Sequence, residues 1–149
     1  MTGTGALRIQ LLGPVRAWRG EQELELGGPR RLAVLGMLAM RANQAVSRSE
    51  LIDGLWAADG RYTDPLADVQ GRDQIDATIG AVQQQFPGLV FRLGGPVDAN
   101  HQQARFSWHL GAADGDEPLV IGFDVLVLDG DGLIRNVYGF LDKVPAAAV

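Results

Sequence analysis

The stretch that decides the fold is PLVIGFDVLVLDGDGLIRNVYGFL, residues 118–141. Two apolar runs of strand length flank Asp-Gly-Asp-Gly at 129–132, which is typical of a β-hairpin. Side chains alternate across a strand. The face of the first run that carries Asp124 is otherwise made of apolar residues and glycine: Val120, Gly122, Leu126 and Leu128. We therefore predict strands at 118–128 and 133–141, with one carboxylate in the middle of an apolar face.

The residues before this hairpin predict another strand and a helix. Residues 103–110 alternate, and the apolar side chains of one face are Ala104, Phe106, Trp108 and Leu110. Residues 72–86 carry one apolar stripe with spacings of four, three and four: Ile75, Ile79, Val82 and Phe86. That stripe predicts an amphipathic helix, which Pro87-Gly88 ends. A short strand at 60–65 precedes the helix.

The first 58 residues predict short strands followed by two helices. The strands fall within 7–26, and the mostly apolar segment 30–43 predicts a buried helix. Ser47 and Glu50 form a capping box that opens a second helix at 48–58. Helices followed by a run of antiparallel strands favour the α+β class, with helices packed on one face of a curved, cone-shaped sheet.

The composition is that of an ordinary globular chain and excludes several kinds of site. The 149 residues are 46% hydrophobic and 21% charged, with no Cys and two His. Disulfides, thiolate chemistry and a His-rich metal cage are therefore excluded, and we expect no metal and no organic cofactor. The apolar run 32–40 is far shorter than the roughly 20 residues of a membrane span, and no signal peptide is evident. We expect a cytoplasmic protein without a membrane segment.

The net charge of −5 is unevenly distributed. Residues 1–58 hold seven Arg against five acidic residues, whereas residues 59–149 hold five Arg, one Lys and thirteen acidic residues. Such a shift suggests two segments with different histories. The acidic part argues against nucleic acid as a partner.

Two aspartates are the candidate catalytic residues. An ionised Asp124 is expensive to bury unless it is paired or hydrogen-bonded, and such carboxyls often mark functional sites. The alternative pairs Asp124 with Arg105 or Arg92 on a solvated face. Asp64 ends a strand before Pro65, where an aspartate is also an ordinary turn residue. If both aspartates lie in one cavity, one can act as a base while the other donates a hydrogen bond.

Five further residues are candidates for a ligand pocket: Tyr62, Trp108, His109, Tyr138 and Phe140. They are strand residues, and a subset with polar tips facing a cavity could contact a ligand. The alternative is that the aromatic residues are mostly core and that His109 faces solvent. The sequence contains no Walker motif, no Gly-x-Ser-x-Gly motif and no metal-ligand spacing.

Residues 7–56 resemble the start of the winged-helix domain of antibiotic regulatory proteins of the SARP type. The motifs that carry the resemblance are LLGPV, LGGPRRLAVLGMLAMRAN and VSRSELIDGLW, in that order. In that family a recognition helix and a wing follow, and the helix reads DNA bases. After Trp56 this sequence becomes acidic and strand-like instead, so DNA binding is not expected.

Residues 55–145 resemble the SnoaL-like polyketide cyclases and ketosteroid isomerases of the nuclear transport factor 2-like fold. LWAADGRYTDPLADVQGRDQI resembles their first strand and following helix, and PLVIGFDVLVLDGDGLIRNVYGFLD resembles their last hairpin. Asp64 falls on the general-base Asp of the isomerases and Asp124 on their oxyanion-hole Asp. Those isomerases also carry a Tyr on their first helix, and 30–43 contains no Tyr. Tyr62 or Tyr138 could replace it.

The two resemblances meet near residues 55–57 and predict a chimera that folds as one hybrid domain over 1–149. Residues 1–57 would supply strands and the first two helices, and residues 58–149 the SnoaL-like α+β core. The expected function is binding of a polyketide- or steroid-like ligand by a homodimer, with weak or lost isomerase or cyclase activity. The alternatives are a fragment of a DNA-binding transcriptional regulator with a ligand-sensing domain, and a non-catalytic scaffold.

Overall fold

The computed structural model describes residues 7–10, 16–24, 48–115 and 117–146. The elements of these ranges are β1 (Leu7–Gln10), β2 (Arg16–Arg19), β3 (Gln22–Leu24), α1 (Arg48–Leu55), β4 (Trp56–Thr63), β5 (Asp68–Gln70), α2 (Arg72–Gln85), β6 (Leu89–Leu93), β7 (Asp98–Asn100), β8 (Gln103–Ala112), β9 (Val120–Leu128) and β10 (Ile134–Lys143). The predicted helix 30–43 lies outside the described residues. No helix within them has the length and apolar character needed to cross a membrane.

The strands form two sheets. β1, β2 and β3 make a three-stranded antiparallel sheet, in the part of the chain where short strands were predicted. The other seven strands form a mixed sheet in the order β5-β4-β10-β9-β8-β6, with β7 also paired to β8. Only the β4–β10 pair is parallel within this sheet. The β9–β10 ladder shifts register at two places, and bulges of this kind bend a sheet.

The inner face of the large sheet is buried, and the helices α1 and α2 share its core. Along β9 every second residue is buried, and the same holds over most of β8. The helices add Leu51, Ile52, Leu55, Ile75 and Ile79 to the same cluster. Full burial of one such side chain contributes about 1.5–3 kcal/mol. The predicted alternation of β8 and β9 and the α+β class are confirmed.

A polar contact ties the two helices together at the edge of this core. Arg48 of α1 forms an ion pair with Asp76 of α2 and donates a second hydrogen bond to Gln83 Oε1 at 3.0 Å. The predicted helix at 72–86 is confirmed as α2, and the capping-box helix is confirmed as α1 with a different end.

The predicted helix 48–58 is too long, because α1 ends at Leu55 and Trp56 begins β4. Trp56 pairs with Ile134 of β10, and its carbonyl oxygen accepts hydrogen bonds from Arg72 Nε and Nη2 at 3.0 and 2.6 Å. These tertiary contacts take the backbone out of the helix. The short strand predicted at 60–65 is consequently the end of a longer one. The edge strands β5, β6 and β7 were not predicted.

Candidate active site

Asp124 is fully buried on the inner face of β9. Its exposed fraction is 0%, and Trp108 Nε1 donates a hydrogen bond to Asp124 Oδ1 at 3.0 Å. The alternative of a pair with Arg105 or Arg92 on a solvated face is wrong. Arg105 lies on the opposite face and bonds Asp98, while Arg92 donates to the carbonyl oxygen of Ala113.

Asp64 follows the last residue of β4 and is half-buried. Its Oδ1 accepts hydrogen bonds from the backbone amides of Leu66 and Ala67, both at 2.8 Å, and its Oδ2 accepts one from the Tyr62 hydroxyl at 2.6 Å. The turn chemistry expected of an Asp before Pro is therefore present, since the side chain caps its own loop. The same contacts fix the carboxylate in one orientation.

Gly139 of β10 is where the two aspartates approach each other. It pairs with Asp124 across the β9–β10 ladder, and its neighbour Tyr138 pairs with Thr63 of β4. A Cβ placed on Gly139 would lie 3.0 Å from Asp64 Cβ and 3.2 Å from Asp124 Oδ1. A side chain at Gly139 would crowd both aspartates, so glycine at this position lets them approach the same point of β10, with Asp124 fully buried and Asp64 half-buried.

Of the five predicted pocket residues, two lie on the inner face with the aspartates. Tyr62 and Trp108 are 8% and 7% exposed, and each donates a hydrogen bond to one of the two aspartates. Both residues were predicted from the sequence as pocket residues, but their hydrogen bonds to the aspartates were not. The Trp108–Asp124 bond could have been anticipated, because both residues fall on the buried faces of two predicted strands.

The other three predicted pocket residues lie on the outer face. Tyr138 and Phe140 are 42% and 50% exposed, and His109 is half-buried beside Arg92. Side chains alternate between the two faces along a strand. His109 therefore points to the face opposite Trp108 on β8, and Tyr138 and Phe140 point to the face opposite Gly139 on β10. The structure does not bring them to the aspartates. Phe140 instead stacks on Phe123, with ring centroids 4.9 Å apart.

Two openings formed by described residues also lie on the outer side of the sheet. A groove of about 500 Å³ lies beside Phe123 and is lined by Pro96, Asp98, Arg105, Phe106, Ser107 and Phe123. A smaller cavity of about 50 Å³ lies beside Arg92 and His109. Neither is lined by Asp64 or Asp124. No group of three or more metal-ligating side chains occurs among the described residues.

An ion pair on the outer face joins β5 to β4. Arg61 and Asp68 form a two-point ion pair, with Nε–Oδ1 and Nη2–Oδ2 at 2.9 and 2.8 Å. The hydrogen bond from Arg61, joined by one from Thr63, lowers the pKa of Asp68. The same bond, together with the charge of Asp68, raises the pKa of Arg61. This pair fixes β5 against β4, next to the loop that carries Asp64.

A curved mixed sheet with helices over one face is the architecture of the nuclear transport factor 2-like class. The sequence model of the SnoaL-like domain matches residues 39–137. A solved structure from Agrobacterium tumefaciens, described as a candidate isomerase of the SnoaL-like family, is 37% identical, with a TM-score of 0.71. It covers 77% of this chain, and this chain covers 98% of it. The chain belongs to the SnoaL-like domain family, which confirms the resemblance and the cone fold.

More distant solved structures share the fold. A candidate SnoaL-like polyketide cyclase from Jannaschia sp. CCS1 is 16% identical, with a TM-score of 0.64. The match covers 83% of this chain and 92% of the cyclase chain. AclR from Streptomyces galilaeus, described as a candidate hydroxylase, is also 16% identical, with a TM-score of 0.59. The match covers 80% of this chain and 82% of the AclR chain.

A second set of relatives is regulatory. The regulatory protein AfsR of Streptomyces griseus is 32% identical over 111 residues, and AfsR of Streptomyces coelicolor is 45% identical over 56 residues. The matches cover 67% and 38% of this chain but only 11% and 6% of those proteins. Similarity to both groups fits the predicted chimera.

Proposed function

We propose that this protein binds a small apolar carbonyl compound at Asp64 and Asp124 and transfers a proton at the carbon next to the carbonyl. The observation that carries the proposal is the convergence of the two aspartates on Gly139. A carboxylate base and a hydrogen-bond donor that converge on one point of a largely apolar sheet face suit enolisation, because they can act on the carbon and the oxygen of the same carbonyl group.

Asp64 Oδ2 is the atom that takes the proton. A carboxylate oxygen has two lone-pair positions. Oδ1 uses both for the amides of Leu66 and Ala67, while Oδ2 accepts one bond from Tyr62 among the described residues. Proton transfer from the substrate carbon to Oδ2 leaves an enolate. Asp124, in its neutral form, donates a hydrogen bond to the enolate oxygen, and Asp64 then returns the proton to another carbon of the conjugated system.

The experiment is isomerisation of a β,γ-unsaturated steroid ketone by the wild type and by Asp64→Asn. General-base catalysis contributes about 10²–10⁴-fold, so we expect a rate loss in that range. The matched control is Asp68→Asn, since Asp68 is also an aspartate at this sheet edge but faces outward towards Arg61. Equal rates for the wild type and Asp64→Asn would contradict the mechanism and leave the non-catalytic scaffold.

We also propose that a second copy of the chain covers the outer face of β9 and β10. The stacked pair Phe123–Phe140 and the exposed Tyr138 form an apolar surface there, and such patches mark association sites. Light scattering after gel filtration tests this, with a dimer expected for the wild type and a monomer for Phe140→Lys. Leu66→Lys, at a 77% exposed residue outside this face, is the control and should stay dimeric. A monomeric wild type would contradict the proposal.

A second candidate function is that of a regulator fragment whose SnoaL-like domain senses a ligand, and the AfsR similarity favours it. The excess of acidic residues over 59–149 opposes it. Titration with duplex DNA at several salt concentrations separates the two functions, because phosphate-contact binding weakens steeply with salt. Our first proposal predicts no salt-dependent binding.

A further inference from the structure

The position of Trp108 depends on a glycine opposite it. Trp108 pairs directly with Gly122 in the β8–β9 ladder, and Asp124 lies two residues further along the same face. A Cβ on Gly122 would come within 2.7 Å of both Trp108 Cε2 and the Phe140 carbonyl oxygen. Because Gly122 has no side chain, the indole can lie flat over β9 and extend diagonally towards Asp124.

The indole ring is also held from the side. Phe91 of β6 packs edge-on against Trp108, with ring centroids 5.3 Å apart and an interplanar angle of 60°. Trp108 is 7% exposed, so neighbouring atoms enclose nearly the whole ring. A bulky side chain in close packing keeps one rotamer, and the direction of the N–H bond is fixed with it.

We propose that Trp108 is a positioning residue for Asp124. An indole N–H only donates, so Asp124 Oδ1 must accept from Trp108 in both protonation states of the carboxyl group. The bond from Trp108 therefore persists in either state and fixes how the Asp124 carboxyl group is rotated beside Gly139. This inference rests on the proposed function, since it names the residue that orients the proposed donor.

The reason such a contact matters is geometric. A carboxylic acid can rotate and can carry its proton on either oxygen, and only one arrangement donates to a carbonyl held beside Asp64. A displacement of about 1 Å in a catalytic group can reduce the rate about 10²-fold. The indole removes this freedom before substrate binds, without taking part in proton transfer itself.

The test compares kcat and KM for the steroid ketone in the wild type and in Trp108→Phe. We expect kcat to fall about 10–100-fold with KM nearly unchanged, because substrate still binds while the donor is misplaced. The matched control is Trp56→Phe, since Trp56 is also a fully buried tryptophan but its Nε1 has no hydrogen-bond partner among the described residues. Trp56→Phe should keep the wild-type kcat.

If Trp108→Phe does not fold, benzothienylalanine at position 108 keeps the ring shape and removes only the N–H.

A second readout does not need activity. In ¹H–¹⁵N spectra Asp124→Asn should move the Trp108 indole resonance, because the substitution changes the acceptor of that N–H bond. An active wild type with kcat of Trp108→Phe within about two-fold would overturn the inference alone, as would an indole resonance unaffected by Asp124→Asn. A wild type without isomerase activity would contradict the proposed function, and the indole resonance would then decide on the hydrogen bond by itself.

Discussion

Asp64 and Asp124 have the same side chain in two different settings. Asp64 is half-buried and its carboxylate accepts two backbone amides and a tyrosine hydroxyl, whereas Asp124 is fully enclosed and bonded to an indole. Two carboxyl groups with contrasting surroundings are well suited to divide acid and base roles. Gly139 has no catalytic group, but its lack of a side chain allows the two aspartates to approach each other.

Gly139→Ala tests that role. The new methyl group would lie between Asp64 Cβ and Asp124 Oδ1, at 3.0 and 3.2 Å, and would push the two side chains apart. We expect isomerase activity to fall about 10²-fold, from the geometric displacement alone. Steady-state kinetics measure this, and circular dichroism verifies that the variant is folded. Full activity in Gly139→Ala would show that the aspartates do not act together at Gly139.

Gly122→Ala tests the packing of Trp108. The added Cβ would crowd both the indole ring and the carbonyl oxygen of Phe140, so overpacking should destabilise the protein by about 1–3 kcal/mol. Urea unfolding measures the free energy. The matched control is Gly130→Ala, where no atom lies within 4 Å of the new Cβ, and its change should stay within about 0.5 kcal/mol. Equal unfolding midpoints for both variants would contradict the packing described for Trp108.

Among the elements, β5 is joined to β4 by the Arg61–Asp68 pair in addition to its backbone ladder. The hydrogen bond from Arg61 lowers the pKa of Asp68, so Asp68 stabilises the fold above the pKa that it has in the unfolded chain. That contribution is lost as the pH falls through the lower pKa of the folded state. A carbon NMR titration should therefore find Asp68 below the ordinary aspartate range, and Arg61→Gln should raise its pKa. An ordinary pKa for Asp68 in the wild type would contradict the pairing.

The sequence predicted those elements whose pattern is long and local. The alternation of 103–110 and 118–128 and the stripe of α2 locate the central strands and the second helix, because burial on one face fixes the period. The edge strands β5, β6 and β7 are three to five residues long and mostly exposed, so they lack a buried-face signal. The end of α1 was misplaced because pairing of Trp56 with Ile134 is a long-range contact.

Part of the site was also predictable from the alternation of buried and exposed residues along the strands. Asp124 stands out as a carboxyl on an apolar face, and the family resemblance supplied Asp64. Alternation could assign Trp108 to the buried side, but it could not reveal that Gly122 lets the indole reach Asp124. Tyr138 and Phe140 were grouped with the pocket because sequence alone does not say which face of β10 points inward.

At the scale of the whole molecule, the central claim is that Asp64 and Asp124 act on one bound carbonyl compound. The most direct measurement is a double-mutant cycle of kcat/KM for the steroid ketone with Asp64→Asn, Asp124→Asn and the double variant. Groups that act as a unit are strongly non-additive, so we predict a double variant hardly slower than the slower single variant. Losses that multiply independently, or single variants with the wild-type rate, would contradict the account.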